Sequence, residues 1–160
     1  MPSSLSTLGI VHTTLSIAPL LLGGYALATR GAISPDDRLG RAYIVSMLAS
    51  IATSFGLSST GSLGPGHVLG VIAVLLMGFA LRPPALLGRA APYLRTLAMS
   101  ASYLILLIPG TVETLTRLPG GAPIASHGPE SPEVKAALGL FFLLFVVGSA
   151  WQLLRIRRGR

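Results

Sequence analysis

The chain of 160 residues contains no cysteine. That excludes disulfides, thiolate-ligated metals, iron–sulfur clusters and covalent c-type haem attachment. Charge is scarce too: 11% of the residues are Asp, Glu, Lys or Arg, and only 5 residues are acidic. Soluble domains carry about a quarter of their residues charged, so this composition argues against one. Several catalytic signatures are also missing. The chain has no glycine-rich phosphate loop ending in Lys-Ser/Thr, no His-Glu-x-x-His zinc motif and no Gly-x-Ser-x-Gly elbow with plausible partners. Nor do two histidines stand at haem-ligand spacing within one apolar run.

What is present is apolar. Hydrophobic residues make up 51% of the chain, and its mean hydropathy is +0.72. They gather into five runs, at roughly 8–29, 42–60, 67–82, 96–118 and 136–154. Each approaches the ~20 residues that a helix needs to cross a hydrocarbon core of about 30 Å. The pattern predicts an all-α integral membrane protein, a compact bundle of five transmembrane helices forming a single domain over residues 1–160. No segment outside the runs is large enough to fold separately.

Orientation follows from the basic residues. Arg30, Arg38 and Arg41 lie between runs one and two, and Arg82, Arg89 and Arg95 between three and four. Arg155, Arg157, Arg158 and Arg160 follow run five, leaving only Arg117 and Lys135 for the other side. The positive-inside rule then predicts an outside N-terminus and a cytoplasmic C-terminus. Run one reads as a retained helix rather than a cleaved signal, because its first positive charge, Arg30, comes after the apolar stretch. The pI near 11.1 does not point to nucleic acid, since the basic residues sit in short loops and form no continuous face with interleaved aromatics. Anionic lipid headgroups at the inner leaflet are the expected partners of these arginines.

Local features refine each run. Pro19 sits near the middle of run one, and Ser34-Pro35-Asp36-Asp37 resembles a helix start. In run two Ser46, Ser50 and Ser54 recur every four residues, a small-residue stripe with hydroxyls available for interhelical bonds. Gly66 and Gly70 offer a second small-residue contact. Arg82-Pro83-Pro84 ends run three, and residues 85–95 form a basic connector with room for a short surface helix. Pro109-Gly110 is expected to break or bend run four. Pro119 to Pro132 reads as an irregular outer loop, and Tyr25, Tyr43, Tyr93 and Trp151 as an aromatic belt at the inner boundary.

The predicted topology collects His12, His67 and Glu113 toward the outer side, with His127 in the loop beyond. Imidazole binds haem iron, copper or zinc, and ionisable groups inside a membrane are costly enough to suggest function. These three residues are therefore a candidate ligand or proton-handling cluster for a metal ion or haem. Plainer readings stand beside it. His12 can hydrogen-bond a facing helix, His67 can cap its own helix, and His127 can simply be solvated. Glu113 and Arg117, four apart, can pair with each other. Asp36, Asp37, Arg38 and Arg41 read as a network locking the inner loop.

Val11-His12-Thr13, the loop Pro35-Asp36-Asp37-Arg38-Leu39-Gly40-Arg41 and Gly66-His67-Val68 together span about half the chain. In these segments it resembles small bacterial membrane proteins grouped as domain of unknown function number 2306. Members carry a histidine early in span one, a Pro-x-His-Arg-x-Leu-Gly-Arg loop and a histidine entering span three. Asp37 stands here where that family has histidine, which weakens any inner-side metal or haem role. The resemblance implies a polytopic architecture in a bacterial cytoplasmic membrane and no particular activity.

Three functions remain open. The first is a non-catalytic accessory or assembly subunit of a larger membrane complex, docking other subunits through Phe141, Phe142, Phe145 and Trp151 of run five. The second is a haem- or metal-binding redox protein using the outer histidines. The third is a small transporter or channel built around the interruption at Pro109-Gly110.

Overall fold

A computed structural model describes residues 7–57, 64–118 and 122–159. The described residues form five α-helices: α1 (Thr7–Arg30), α2 (Arg38–Phe55), α3 (Pro65–Leu81), α4 (Ala91–Arg117) and α5 (Pro132–Arg158). No strand occurs among them. The last part of run two (58–60), residues 61–63 and 119–121 of the expected loops, and Arg160 lie outside the described residues.

Each helix starts where local chemistry permits it. The Asp37 carboxylate accepts the Gly40 amide at 2.7 Å, supplying a side-chain cap for α2. Proline occupies the first turn of α3, α4 and α5, where its missing N–H costs nothing. These prolines lie outside the apolar runs, and α4 and α5 accordingly begin several residues earlier than hydropathy alone indicates. At the other end of α5, Arg155, Arg157 and Arg158 occupy the last turn, where cations favour the negative end of the helix dipole.

Three helices, α1, α4 and α5, are long and apolar enough to cross a membrane. α3 is apolar but has 17 residues, about 26 Å at 1.5 Å per residue. α2, with Arg38 and Arg41 in its first turn and serines along it, is not among the candidate spans.

Ion pairs and hydrogen bonds between helix termini distinguish two ends of the fold. One end gathers the α1–α2 corner, the start of α4 and the end of α5, and with them Arg30, Arg95 and Arg155; we call it the basic end. The core lies between α1, α2, α3 and α4. α2 supplies Tyr43, Ile44, Met47 and Ile51, α3 supplies Ala73, Met77 and Ala80, and α4 supplies Ala98 and Met99. Alanines on the facing turns bring the backbones close, and the methionines fill the irregular spaces left between them. α5 packs chiefly on α4 and buries the least of itself among the three candidate spans, 11% of its most apolar stretch.

Several expectations change here. α4 passes through Pro109-Gly110 without a break. Residues 85–90 do form a short surface helix, but in 3-10 geometry and interrupted at Gly88, whose φ is +45°. Tyr43 does not join an aromatic belt. It is fully buried, with its hydroxyl 2.9 Å from that of Ser102. Of the serine stripe only Ser50 reaches another helix through its hydroxyl, at 2.6 Å from Ser16, whereas Ser46 and Ser54 turn back onto their own backbone. Gly70 packs closely on Ile51, but Gly66 faces open space. The described part of the α4–α5 connection is tied down: the Ala125 amide donates to the Leu115 carbonyl at 2.9 Å, and Ala125 is buried.

The Asp37 cap carries a prediction. Its carboxyl is held below the ordinary 3.8 by the Gly40 amide first, against a smaller effect of burial, and then by Arg30. Asp37→Ala is expected to cost about 1 kcal/mol, and Asp37→Asn, which keeps the capping oxygen, clearly less. Because the folded value lies below the unfolded one, the cap's contribution is complete above 3.8 and is lost as pH falls through the lower folded value. Melting temperature followed through that acid range should fall less steeply in Asp37→Asn than in the parent.

Candidate functional site

His12 and His67 are both docked on the last turns of α2. His12 Nδ1 lies 3.1 Å from the Ser50 carbonyl and 3.0 Å from the Thr53 hydroxyl. A carbonyl only accepts, so Nδ1 carries the proton and Nε2 keeps its lone pair. His67 accepts the Gly64 amide on Nδ1 at 3.0 Å, closing the first turn of α3, and its Nε2 lies 3.3 Å from the Ser54 carbonyl. That ring therefore holds its proton on Nε2 and has both nitrogens engaged. Its face also packs against Phe55, with ring centroids 4.9 Å apart. The two imidazoles bolt α1 and α3 to α2, and of their four nitrogens only His12 Nε2 is left to bind a metal.

Glu113 does not join them. It pairs with Arg117 at 2.5 Å on the same face of α4, and both side chains are more than half exposed. Such a pair contributes about 0.3–0.5 kcal/mol. Among the described residues no three of His, Asp and Glu are placed to hold one metal ion. The structure therefore does not assemble His12, His67 and Glu113 into a three-ligand centre. His127 is exposed in the α4–α5 connection.

At the basic end the two loop carboxylates choose distant arginines. Asp37 pairs with Arg30 at 2.5 Å, and Asp36 with Arg95 at 2.7 Å. Arg95 Nε also donates to the Ala80 carbonyl at 2.7 Å, satisfying the end of α3. Arg41 donates to the backbone carbonyls of Asp36 and Asp37. Arg38 is exposed and forms no ion pair among the described residues. The network thus ties α1, α2, α3 and α4 together, where the sequence spacing suggested a closed loop of Asp36, Asp37, Arg38 and Arg41.

A larger feature opens between α1, α4 and α5. It is a groove of about 340 Å³, within the range of small-molecule sites. Its walls are Leu27, Tyr103, Leu104, Leu107, Phe141, Leu144 and Phe145, with Gly148 leaving space along α5. Toward the basic end the walls turn polar, at Ser100, Ser149 and Gln152. Gln152, 5% exposed, accepts from the Ser100 hydroxyl at 2.9 Å and donates to the Gly31 carbonyl at 2.8 Å. Ser149 is also buried, but its hydroxyl has no hydrogen-bond partner among the described residues. A second, smaller pocket adjoins the groove, sharing Gly31 and Gln152 with it, and is lined by Arg30, Thr96 and Arg155. The Arg155 guanidinium donates to the Arg30 carbonyl at 2.9 Å and lies over the Trp151 ring. Sequence reasoning passed over Ser149 and Gln152. Their signal was available: two isolated polar residues, three apart, in an otherwise apolar run.

The aromatic residues of α5 do not form one face. Phe141 and Phe145 turn into the groove, Trp151 closes its basic end, and Phe142 points away, 58% exposed. Compared with protein families, curated proteins and solved structures, the chain matches none.

Proposed function

We propose that this chain is a non-catalytic accessory or assembly subunit of a larger protein complex in a bacterial cytoplasmic membrane. In this reading all five helices lie within the membrane, with the basic end cytoplasmic and the N-terminus outside. The observation that supports it is the outer face of α5, where Phe142, Leu143 and Val147 are 58, 57 and 60% exposed. Between membrane helices no hydrophobic drive favours association, so a partner is held by close packing of side chains. A ridge of this kind on a helix anchored mainly to one neighbour suits that purpose. Transport ranks lower because α4 is continuous at Pro109-Gly110. A haem or metal role ranks lower because His12 and His67 together leave only one imidazole nitrogen ready.

The test is mild-detergent extraction of the tagged chain from native membranes, followed by sizing and mass spectrometry of the co-eluting proteins. A defined assembly that Phe142→Ala combined with Leu143→Ala disperses, while the variant keeps its own fold, supports the reading. Elution alone or as a small homo-oligomer refutes it.

Orientation has an independent check, because a chain without cysteine accepts a single reporter thiol. Ser126→Cys is expected to react with a membrane-impermeant maleimide in intact cells. Gly159→Cys should react only after the cells are permeabilised. The reverse pattern overturns the topology.

A further inference from the structure

We infer that the groove between α1, α4 and α5 binds an anionic phospholipid, with one acyl chain along the groove and the phosphate at Arg30 and Arg155. This rests on the membrane placement proposed above, but not on any partner for α5.

Three observations converge on it. The first is shape and polarity: an apolar channel runs directly into a small basic pocket, with Gly31 and Gln152 common to both. An occupant must therefore be amphipathic and long, with its charged end at the α1–α2 corner. The second is charge. Arg30 is partly compensated by Asp37, whereas Arg155 has no carboxylate partner among the described residues. Its guanidinium is held in place by the Arg30 carbonyl and Trp151 and keeps donors to offer, a geometry that suits phosphate. The third is Ser149, more than nine-tenths buried in the groove wall with an unpartnered hydroxyl. A buried hydroxyl without a partner is costly. It lies six residues from Arg155, about 9 Å along the helix axis. Helical side chains lean toward the N-terminus, which brings the guanidinium back toward it. A phospholipid sets an ester carbonyl below its phosphate, one glycerol away, and that carbonyl is the acceptor Ser149 lacks. Gln152, between them, has both its oxygen and its nitrogen engaged within the protein and acts as the wall separating chain from headgroup.

The test titrates dioleoyl phosphatidylglycerol or dioleoyl phosphatidylcholine into the full chain in dodecyl maltoside, counting bound lipids by native mass spectrometry. One tightly held phosphatidylglycerol is expected, preferred over phosphatidylcholine by roughly fivefold for each arginine engaged. Arg155→Gln should reduce that preference by about this factor. Gly148→Leu should abolish the tight site for both lipids, since a Cβ there finds nothing within 4 Å and the side chain extends into the groove that Gly148 lines. Ser149→Ala should weaken both lipids alike, leaving the headgroup preference intact. Equal binding of the two lipids by the parent, or tight binding that survives Gly148→Leu, overturns the site. Fractionation of each protein before extraction separates the two questions. A membrane-integrated chain without the site refutes the lipid proposal alone, whereas recovery in the soluble fraction refutes the placement and the site together.

Discussion

Gly40→Ala is expected to be the most damaging glycine-to-alanine change among the described residues, costing on the order of 4 kcal/mol. The reason lies in how the α1–α2 corner closes. After Gly31, at φ +75°, the chain doubles back so that the Ser34 carbonyl rests against the first turn of α2. A Cβ on Gly40 would overlap that carbonyl oxygen and come within 3.3 Å of the Pro35 nitrogen. Both obstacles are backbone, so no side-chain rotation relieves them. The corner cannot simply open, because Asp37 is bonded to the same Gly40 amide and Arg30 to Asp37. Gly78→Ala is the matching control. Its position on α3 is exposed and an added methyl meets no atom within 4 Å, so alanine should stabilise by about 0.5–1 kcal/mol through helix propensity. Thermal melts of the two variants in detergent measure the contrast. If Gly40→Ala melts with the parent, the close approach at the corner is not what holds it.

That corner also shows what the sequence made legible and what it did not. Asp37 reads as a helix start, because a carboxylate before an apolar run has few other local uses. The need for glycine at position 40 depends on a contact with Ser34 made only after the loop has folded, and no periodicity reports that. The helices themselves were legible because long apolar runs leave little choice. Their starts were displaced because hydropathy ignores Pro92 and Pro132, which begin a helix without being part of its apolar face. Tyr43 failed for a related reason: depth along a helix follows from residue number, but the side it faces depends on its neighbours. Glu113 and Arg117 were legible as a pair, since an (i, i+4) spacing needs no tertiary information. The groove was not. It is a gap left where α5 meets α1 across α4, and its polar rim pairs Ser100 of α4 with Ser149 and Gln152 of α5, some fifty residues apart in sequence.

Gln152→Leu is the second large effect, expected to destabilise by about 2–3 kcal/mol. Gln152 is the one side chain among the described residues that hydrogen-bonds from α5 to both α4 and the end of α1. Leucine matches its bulk but leaves the Gly31 carbonyl without that donor and removes the acceptor from the Ser100 hydroxyl. Ser100→Ala alone breaks one of the two bonds and should cost about 1 kcal/mol. The double variant separates a network from two independent contacts. If Ser100 acts through Gln152, the double variant should be no less stable than Gln152→Leu alone, because the orphaned hydroxyl has been removed with its partner. Additive losses would instead mean that each residue contributes through packing. Gln152→Glu sharpens the distinction. It keeps an acceptor for Ser100 but turns a carboxylate toward the Gly31 carbonyl, so it should be at least as destabilising as leucine despite its nearly identical shape. A melt that ranks glutamate close to the parent would show that shape, not hydrogen bonding, places α5 against the rest of the fold.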